Sequence, residues 1–540
     1  MASPRKRRRG AFDHLIGAPL YDPEYMELYL SAGAQTLVRR ALMRLEGITV
    51  VDYHTHLAGR GRGSICCVPP TDDTQFGSFL NQTKMRVFMS AFGVSEEEDD
   101  TVAAERLAAL SRHVSATIAS SSEKACKPTA SPIAASPSPP PRLVSVLLAF
   151  DGRYDRVSGE LLRSQTPMIV PNDYVYEMAA RHPDIFCAAC SVNPLRRDAL
   201  AELERCAARG ARICKWLPNS MQCAAGSQSR NLWVIALDSH LPSSSAHSEF
   251  PGSRSHCSFS PADEACDPFY GKCVELGMTL LVHVGDETSV DMIGARVDNA
   301  LGNPLLLRRA LQRGVRVIAA HCASEGSALD DAGVRCSCFD LLMGMMGQPQ
   351  WEALLFADIS ALTIFKRAAK LRALLERPEL LPRCIFGSDY PVPCLGGRII
   401  GTKPQPLAVL HGGALTPQLC SLGLLSRDEA GQLDEVFQYN PLLCDLVLKL
   451  SVRHPSSGAM LPASLFGAHL LMPPSASPPL QAPPHARPQA AVPTAPNGGA
   501  CGHGDAATAD TAGDAACAGS DTQGSAAAGS SSSSTRSLGP

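Results

Sequence analysis

Gly47-Ile48-Thr49-Val50-Val51-Asp52-Tyr53-His54-Thr55-His56 is a β-branched apolar run that ends in His-x-His. It reads as a buried strand that delivers two imidazoles to its C-terminal mouth. Residues i and i+2 of a strand point to the same side, so His54 and His56 face one interior point, as two ligands of one metal ion must. In isolation the pattern is more often two unrelated polar residues at a strand end. Its weight comes from repetition: later segments also end a short apolar run in a metal-capable side chain.

Working outward, residues 142–151 form a second apolar run with Asp151 at its end, and 185–192 a third, closed by Asn193-Pro194. The fourth, 211–217, carries Lys215 and is closed by Pro218-Asn219. Runs at 278–282 and 315–320 deliver His283 and His321. A seventh spans 353–359, and the eighth, 384–388, delivers Asp389 ahead of Tyr390-Pro391. Helical periodicity falls at 23–45, 84–112, 195–206, 268–276, 304–313 and 427–450. Eight strands mostly separated by helices predict parallel βαβ units. Closed into a ring they give an α/β fold, a (β/α)8 TIM barrel, with its active site at the strand C-termini. A doubly wound open sheet would need a glycine-rich phosphate loop after its first strand. Gly59-x-Gly61-x-Gly63 follows His56 and opens no helix, so the barrel is the better reading.

The chain has 540 residues, 45% hydrophobic and 19% charged, enough for one large domain plus extensions. Residues 1–22 read as a basic disordered N-terminus, with a weak nuclear-import-like patch at Arg5-Lys6-Arg7-Arg8-Arg9. The barrel is expected over 23–450, with Ser/Ala/Pro-biased insertions at about 115–141 and 222–260, and a disordered low-complexity tail over 454–540. A net charge of −3 gives no reason to expect nucleic acid. No apolar run suggests a membrane span. The 20 cysteines are scattered and follow no secretory signal, which predicts reduced thiols in a cytoplasmic protein. The expected partner is a small-molecule substrate, and self-association as a homo-oligomer is left open.

His54, His56, Lys215, His283, His321 and Asp389 thus sit together at the proposed rim. Each has a bland reading alone: a histidine ending a strand, a snorkelling lysine, an aspartate capping a turn. Six at one rim are poorly explained by coincidence. Asp52-Tyr53-His54-Thr55-His56, Lys215-Trp216-Leu217-Pro218, His283-Val284-Gly285, Ala320-His321-Cys322 and Phe386-Gly387-Ser388-Asp389-Tyr390-Pro391 resemble the amidohydrolase superfamily, in its branch of metal-dependent hydrolases and decarboxylases. The resemblance spans 48–450 apart from the insertions. It implies that His54, His56, His283 and Asp389 hold one divalent metal, most often Zn2+, with His321 an acid/base group or a ligand to a second ion. Lys215 stands where binuclear members carry a bridging carbamate, although the Trp-Leu-Pro after it is not typical of them.

The expected chemistry is a metal-activated water, with Asp389 and His321 as catalytic groups. Arg60, Lys215 and Glu287 are candidate substrate contacts, and Arg62, Asp151 and Asn219 lie close to the same rim. These residues predict hydrolysis of a C–N or C–O bond in a small carbonyl substrate, with non-oxidative decarboxylation of a carboxylic acid as the alternative. Metal-dependent DNases also begin with His-x-His, but they typically carry a glutamate where Lys215 stands, and a basic cleft. A catalytically silent binding module would not need the whole ligand set.

Overall fold

The computed structural model describes residues 21–68, 89–95, 97–123, 142–166, 168–221, 260–287, 297–364, 367–392 and 416–470. Eight short parallel strands form its centre: β1 (Val50–His56), β2 (Leu143–Leu148), β3 (Phe186–Ala189), β4 (Ile213–Trp216), β5 (Thr279–Val282), β6 (Val317–Ala319), β7 (Leu355–Asp358) and β8 (Cys384–Ile385). They pair in two arcs, β1-β2-β3 and β8-β7-β6-β5-β4. Parallel bridges at Cys190–Cys214 and Thr55–Tyr390 join the arcs, so the ring closes. Helices α1 (Ala32–Leu42), α2 (Thr101–Glu123), α3 (Asn172–Arg181), α4 (Ala199–Ala208), α5 (Asp267–Glu275), α6 (Arg308–Gln312), α7 (Cys338–Met346), α8 (Ala368–Leu375), α9 (Arg427–Phe437) and α10 (Pro441–Ser451) accompany the strands. This is the expected (β/α)8 barrel.

Its interior follows period two. Val51, Tyr53, Val144, Val146, Leu148, Ile213, Leu281, Ile318 and Ile385 form one inner cluster, with Phe356 against it. The phase carries to the mouth. Lys215, two residues after Ile213, His283, two after Leu281, and Asp358, two after Phe356, continue the inward positions. In β1 the register with β2 shifts between Asp52 and Thr55. That bulge takes up one extra residue, so Tyr53 packs inside the barrel and yet His54 joins the site above it.

Several boundaries differ from the sequence reading. Helix α2 runs on to Glu123, so regular structure continues past the expected insertion start at 115. The helix expected over 427–450 is two helices, because Pro441 cannot continue α9. Asn440 instead caps α10, its side chain accepting from Leu443 N at 3.0 Å. An antiparallel hairpin, Ser327–Leu329 with Arg335–Ser337, follows β6 and was not anticipated.

The tail expected from 454 is ordered to 470. Phe466 is fully buried and Leu470 joins the inner cluster, where its N–H donates to Tyr53 Oη at 3.1 Å. Calls on 1–20, 124–141, 222–259 and 471–540, the basic patch included, lie outside the described residues. Every described cysteine is a free thiol, and among the described residues no helix is long and apolar enough to cross a membrane.

Candidate metal centre

The strand ends bring His54, His321 and Asp389 together, each offering one ligand atom, all within 4.8 Å of one another. His54 Nε2 lies 3.1 Å from His56 Nε2 and 3.6 Å from Asp389 Oδ1, and His56 Nε2 is 3.2 Å from that oxygen. Lys215 Nζ is 3.1 Å from His54 Nε2. The His283 ring lies 5.2 Å from that of His321, which stacks on His54 at 4.8 Å. Of the six rim residues, five are buried and His56 is half-buried.

Asp358, which the sequence reading passed over, organises this cluster. Its Oδ2 lies 3.0 Å from His54 Nδ1, and its Oδ1 accepts from His321 N at 2.9 Å. Ser360 Oγ donates to the same carboxylate and lies 2.7 Å from His321 Nδ1. A carboxylate behind an imidazole fixes the tautomer and leaves the other nitrogen facing the ligand position, as metal-binding histidines require. The signal was present: β7 is another apolar run ending in an acid.

The loops that deliver these groups are strained. The non-glycine residues with positive φ among those described are His321, Cys322, Ala323, Ala361 and Asp389, all just beyond β6, β7 and β8. Each such residue costs on the order of 1–3 kcal/mol, and such strain clusters at functional sites. His321 therefore enters the site from a left-handed turn after β6, not from the strand. Gly387 is required by crowding, since a Cβ there would lie 2.8 Å from His54 Cβ and 3.0 Å from Ser360 Cβ.

Electrostatics prepare the set for a cation. Burial, reinforced by Lys215, holds His54 well below the ordinary imidazole value, and the same causes hold His283 at about 3. Burial and the Arg367 charge do the same for His321. Burial pushes the Asp389 carboxyl up, but the His56 hydrogen bond and the charges of His54, His56 and Arg367 outweigh it and hold it at about 2. Burial lowers Lys215 to about 8 against the pull of Asp358, Asp389 and Glu287. Neutral imidazoles and an ionised carboxylate are the donor states a metal needs. His283 Nε2, buried and with no hydrogen bond among the described residues, is 3.4 Å from Glu287 Oε2. The donor set fits a divalent metal.

The remaining candidates divide. Glu287 is buried beside His283. Asn219 ties the β4 loop to the β5 loop, its Nδ2 donating to Gly285 O at 3.1 Å. Asp151 faces away from the interior, because Val144, Val146 and Leu148 set the opposite phase. It accepts from Gly152 N and Asn193 N, each at 2.8 Å, and bridges to Arg196 at 3.3 Å, so its role is structural. Arg62 is exposed, while Arg60 is half-buried with its backbone N–H on Asp100 Oδ1 at 2.6 Å.

A protein-family model described as Amidohydrolase matches residues 162–399, which hold β3 to β8. No curated protein matches. Similar solved structures include an uncharacterised TIM-barrel protein from Bordetella bronchiseptica, at 14% identity and TM-score 0.34, covering 63% of this chain and 86% of the other. Another is a 5-carboxyvanillate decarboxylase from Novosphingobium aromaticivorans with bound manganese, at 10% identity and TM-score 0.34, covering 64% and 88%. Both likenesses are too distant to transfer a substrate or a metal. The family match thus falls on the part of the closed parallel barrel that carries Lys215, His283, His321 and Asp389 at its C-terminal mouth.

Proposed function

We propose that the chain is a metal-dependent hydrolase that cleaves a C–N or C–O bond of a small carbonyl substrate. The observation that carries this reading is the convergence of His54, His321 and Asp389 within 4.8 Å, with His56 beside them. His54, His56, His283 and Asp389 would hold the ion, with His321 and Lys215 as further candidates, and the imidazole-rich set suits zinc. A bound divalent metal would supply hydroxide at neutral pH, by lowering the pKa of a water from 15.7 to about 7.

The protein groups do the rest. Asp389, ionised at the mouth, accepts a proton from the attacking water and returns it to the leaving group. His321, fixed by Asp358 at its backbone and Ser360 at its ring, hydrogen-bonds the substrate carbonyl oxygen. Asp358 holds the His54 ring in one orientation. Glu287, buried beside His283, and Arg60 in the loop after β1 are the proposed substrate contacts, together with Lys215.

Lys215 supports the second reading, decarboxylation, because a buried ammonium beside the cluster suits a carboxylic acid substrate. A panel of amides, lactones and carboxylic acids, tested on protein of measured metal content, separates the two. Hydrolysis that disappears in Asp389→Asn supports the first reading. Release of carbon dioxide without hydrolysis replaces it with the second.

A further inference from the structure

Among the described residues two lysines are buried, Lys215 at the mouth and Lys449 on α10. Lys449 is 0% exposed and takes no part in the chemistry of the mouth. Its Nζ donates to Asp445 Oδ2 at 2.6 Å and to Gly387 O at 2.7 Å, and sits 5.2 Å from the centre of the Phe386 ring. Asp445, four residues back on the same helix, is buried too, and its Oδ1 accepts from Thr363 Oγ1 at 3.4 Å. Other pairs of this spacing stand in solvent: Arg181 with Glu177 is 41% and 39% exposed, and Arg372 with Glu376 41% and 52%. A buried ion pair seldom adds stability over apolar residues, because its attraction only about offsets the loss of hydration. Holding α10 in place therefore does not account for this one.

The peptide that Lys449 touches does account for it. The Gly387–Ser388 unit leads from β8 to Asp389. Its carbonyl accepts from Lys449, and its N–H, on Ser388, donates to Asp52 Oδ1 at 2.8 Å. A peptide unit is planar, so a cation at its oxygen and an anion at its hydrogen select one orientation and oppose a flip. The same Asp52 oxygen accepts from His54 N at 3.2 Å, and Asp389 N donates to His54 O at 2.8 Å. The end of β1 and the turn after β8 are thus fastened together through the backbones of two residues of the metal centre. Asp389 has a φ of 63°, in the left-handed region. A non-glycine residue keeps such a conformation only where its surroundings over-determine it.

We propose that Lys449 is a positioning residue for the metal centre: with Asp52 it grips the Gly387–Ser388 peptide at both ends and so fixes the turn that presents Asp389. Asp445 neutralises the buried ammonium and aims it at Gly387 O. This rests on the hydrolase reading only in the task given to Asp389, since the grip is a property of the backbone.

Two variants of the full-length chain test the assignment. Lys449→Met/Asp445→Leu replaces the pair by apolar side chains, whereas Asp445→Asn breaks the ion pair and leaves Lys449 its bond to Gly387 O. The double variant should unfold at or above the wild-type denaturant midpoint, as apolar replacements of buried pairs commonly do. Its zinc affinity in competition with a chelator should nevertheless fall by about 10- to 100-fold, the usual scale for a group that orients a ligand from behind. With cobalt in place of zinc, its visible spectrum should change, reporting an altered ligand geometry. Asp445→Asn should lose stability and keep zinc affinity near the wild-type value. In metal-free protein, the Ser388 and Asp389 amides of the double variant should exchange hydrogen faster while those of α10 stay protected. Wild-type zinc affinity or unchanged exchange in the double variant overturns the proposal. So does a double variant that cannot fold, since the pair then serves the fold itself, and so does zinc affinity in Asp445→Asn as weak as in the double variant. A wild type that takes up no metal sinks the hydrolase reading instead, and the exchange measurement then decides the proposal alone.

Discussion

The two ends of the barrel are built from opposite materials. At the N-terminal end, Val51, Tyr53, Ile213, Leu281 and Ile385 meet Leu470, and the Phe466 ring packs tilted against that of Phe386 at 5.2 Å. Two polar contacts join these parts: Leu465 O accepts from Phe386 N at 3.1 Å, and Gly467 O lies 3.3 Å from Tyr53 Oη. At the C-terminal end lie four buried imidazole or ammonium groups and left-handed non-glycine residues. The first end stores stability, and the second holds groups that would be cheaper to fold as apolar residues. Polar groups retained at such cost mark the end where a ligand completes the structure.

If the division is real, substitutions at the two ends should fail differently. The largest effect is expected from Phe466→Ala, which empties a fully buried ring site and should cost about 3–5 kcal/mol in denaturant unfolding. Metal affinity of the folded fraction should stay unchanged. A variant that loses metal while keeping its stability would erase the distinction.

Next in size is Asp358→Asn. It removes the carboxylate behind His54 and should weaken metal binding by about 10- to 100-fold in competition with a chelator, with a smaller stability loss than Phe466→Ala. Unchanged metal affinity would show that Asp358 only braces the β6 turn.

The smallest effect belongs to neither end. Glu429 on α9 lies 2.7 Å from both Arg453 and Arg40. Burial raises its carboxyl, but the Arg453 and Ser426 hydrogen bonds outweigh this and hold it at about 2, against an ordinary 4.5. A depressed carboxyl stabilises above its unfolded value, and that share is lost as pH falls from about 4.5 toward 2. Arg453→Met should therefore flatten the acid limb of the stability curve in that window. Its cost at pH 7 should be about 1 kcal/mol or less, since both arginines are substantially exposed. A larger loss, or metal loss, would mean that this cluster is coupled to the barrel mouth.

The barrel and most of the cluster were legible because period two survives in short strands. Ile213 to Lys215 and Leu281 to His283 can be counted from sequence, and the same count excludes Asp151 and includes Asp358. His54 sits out of phase with Val51, and only the bulge in β1 explains why both face inward. The turn that carries His321 was not legible, since three left-handed non-glycine residues in succession run against intrinsic preference. The segment 454–470 was misread because its Ala, Ser and Pro content hid the few apolar residues, Leu465, Phe466 and Leu470, that pack against the barrel.

The central claim is that the C-terminal mouth is a metal centre. Elemental analysis of the purified chain beside His54→Ala, each measured before and after reloading with zinc, tests it most directly. The account predicts about one or two zinc-class ions per wild-type chain and loss of that metal in the variant, with helical content retained. Less than about a tenth of an ion per folded wild-type chain after reloading, or equal metal in His54→Ala, would contradict it.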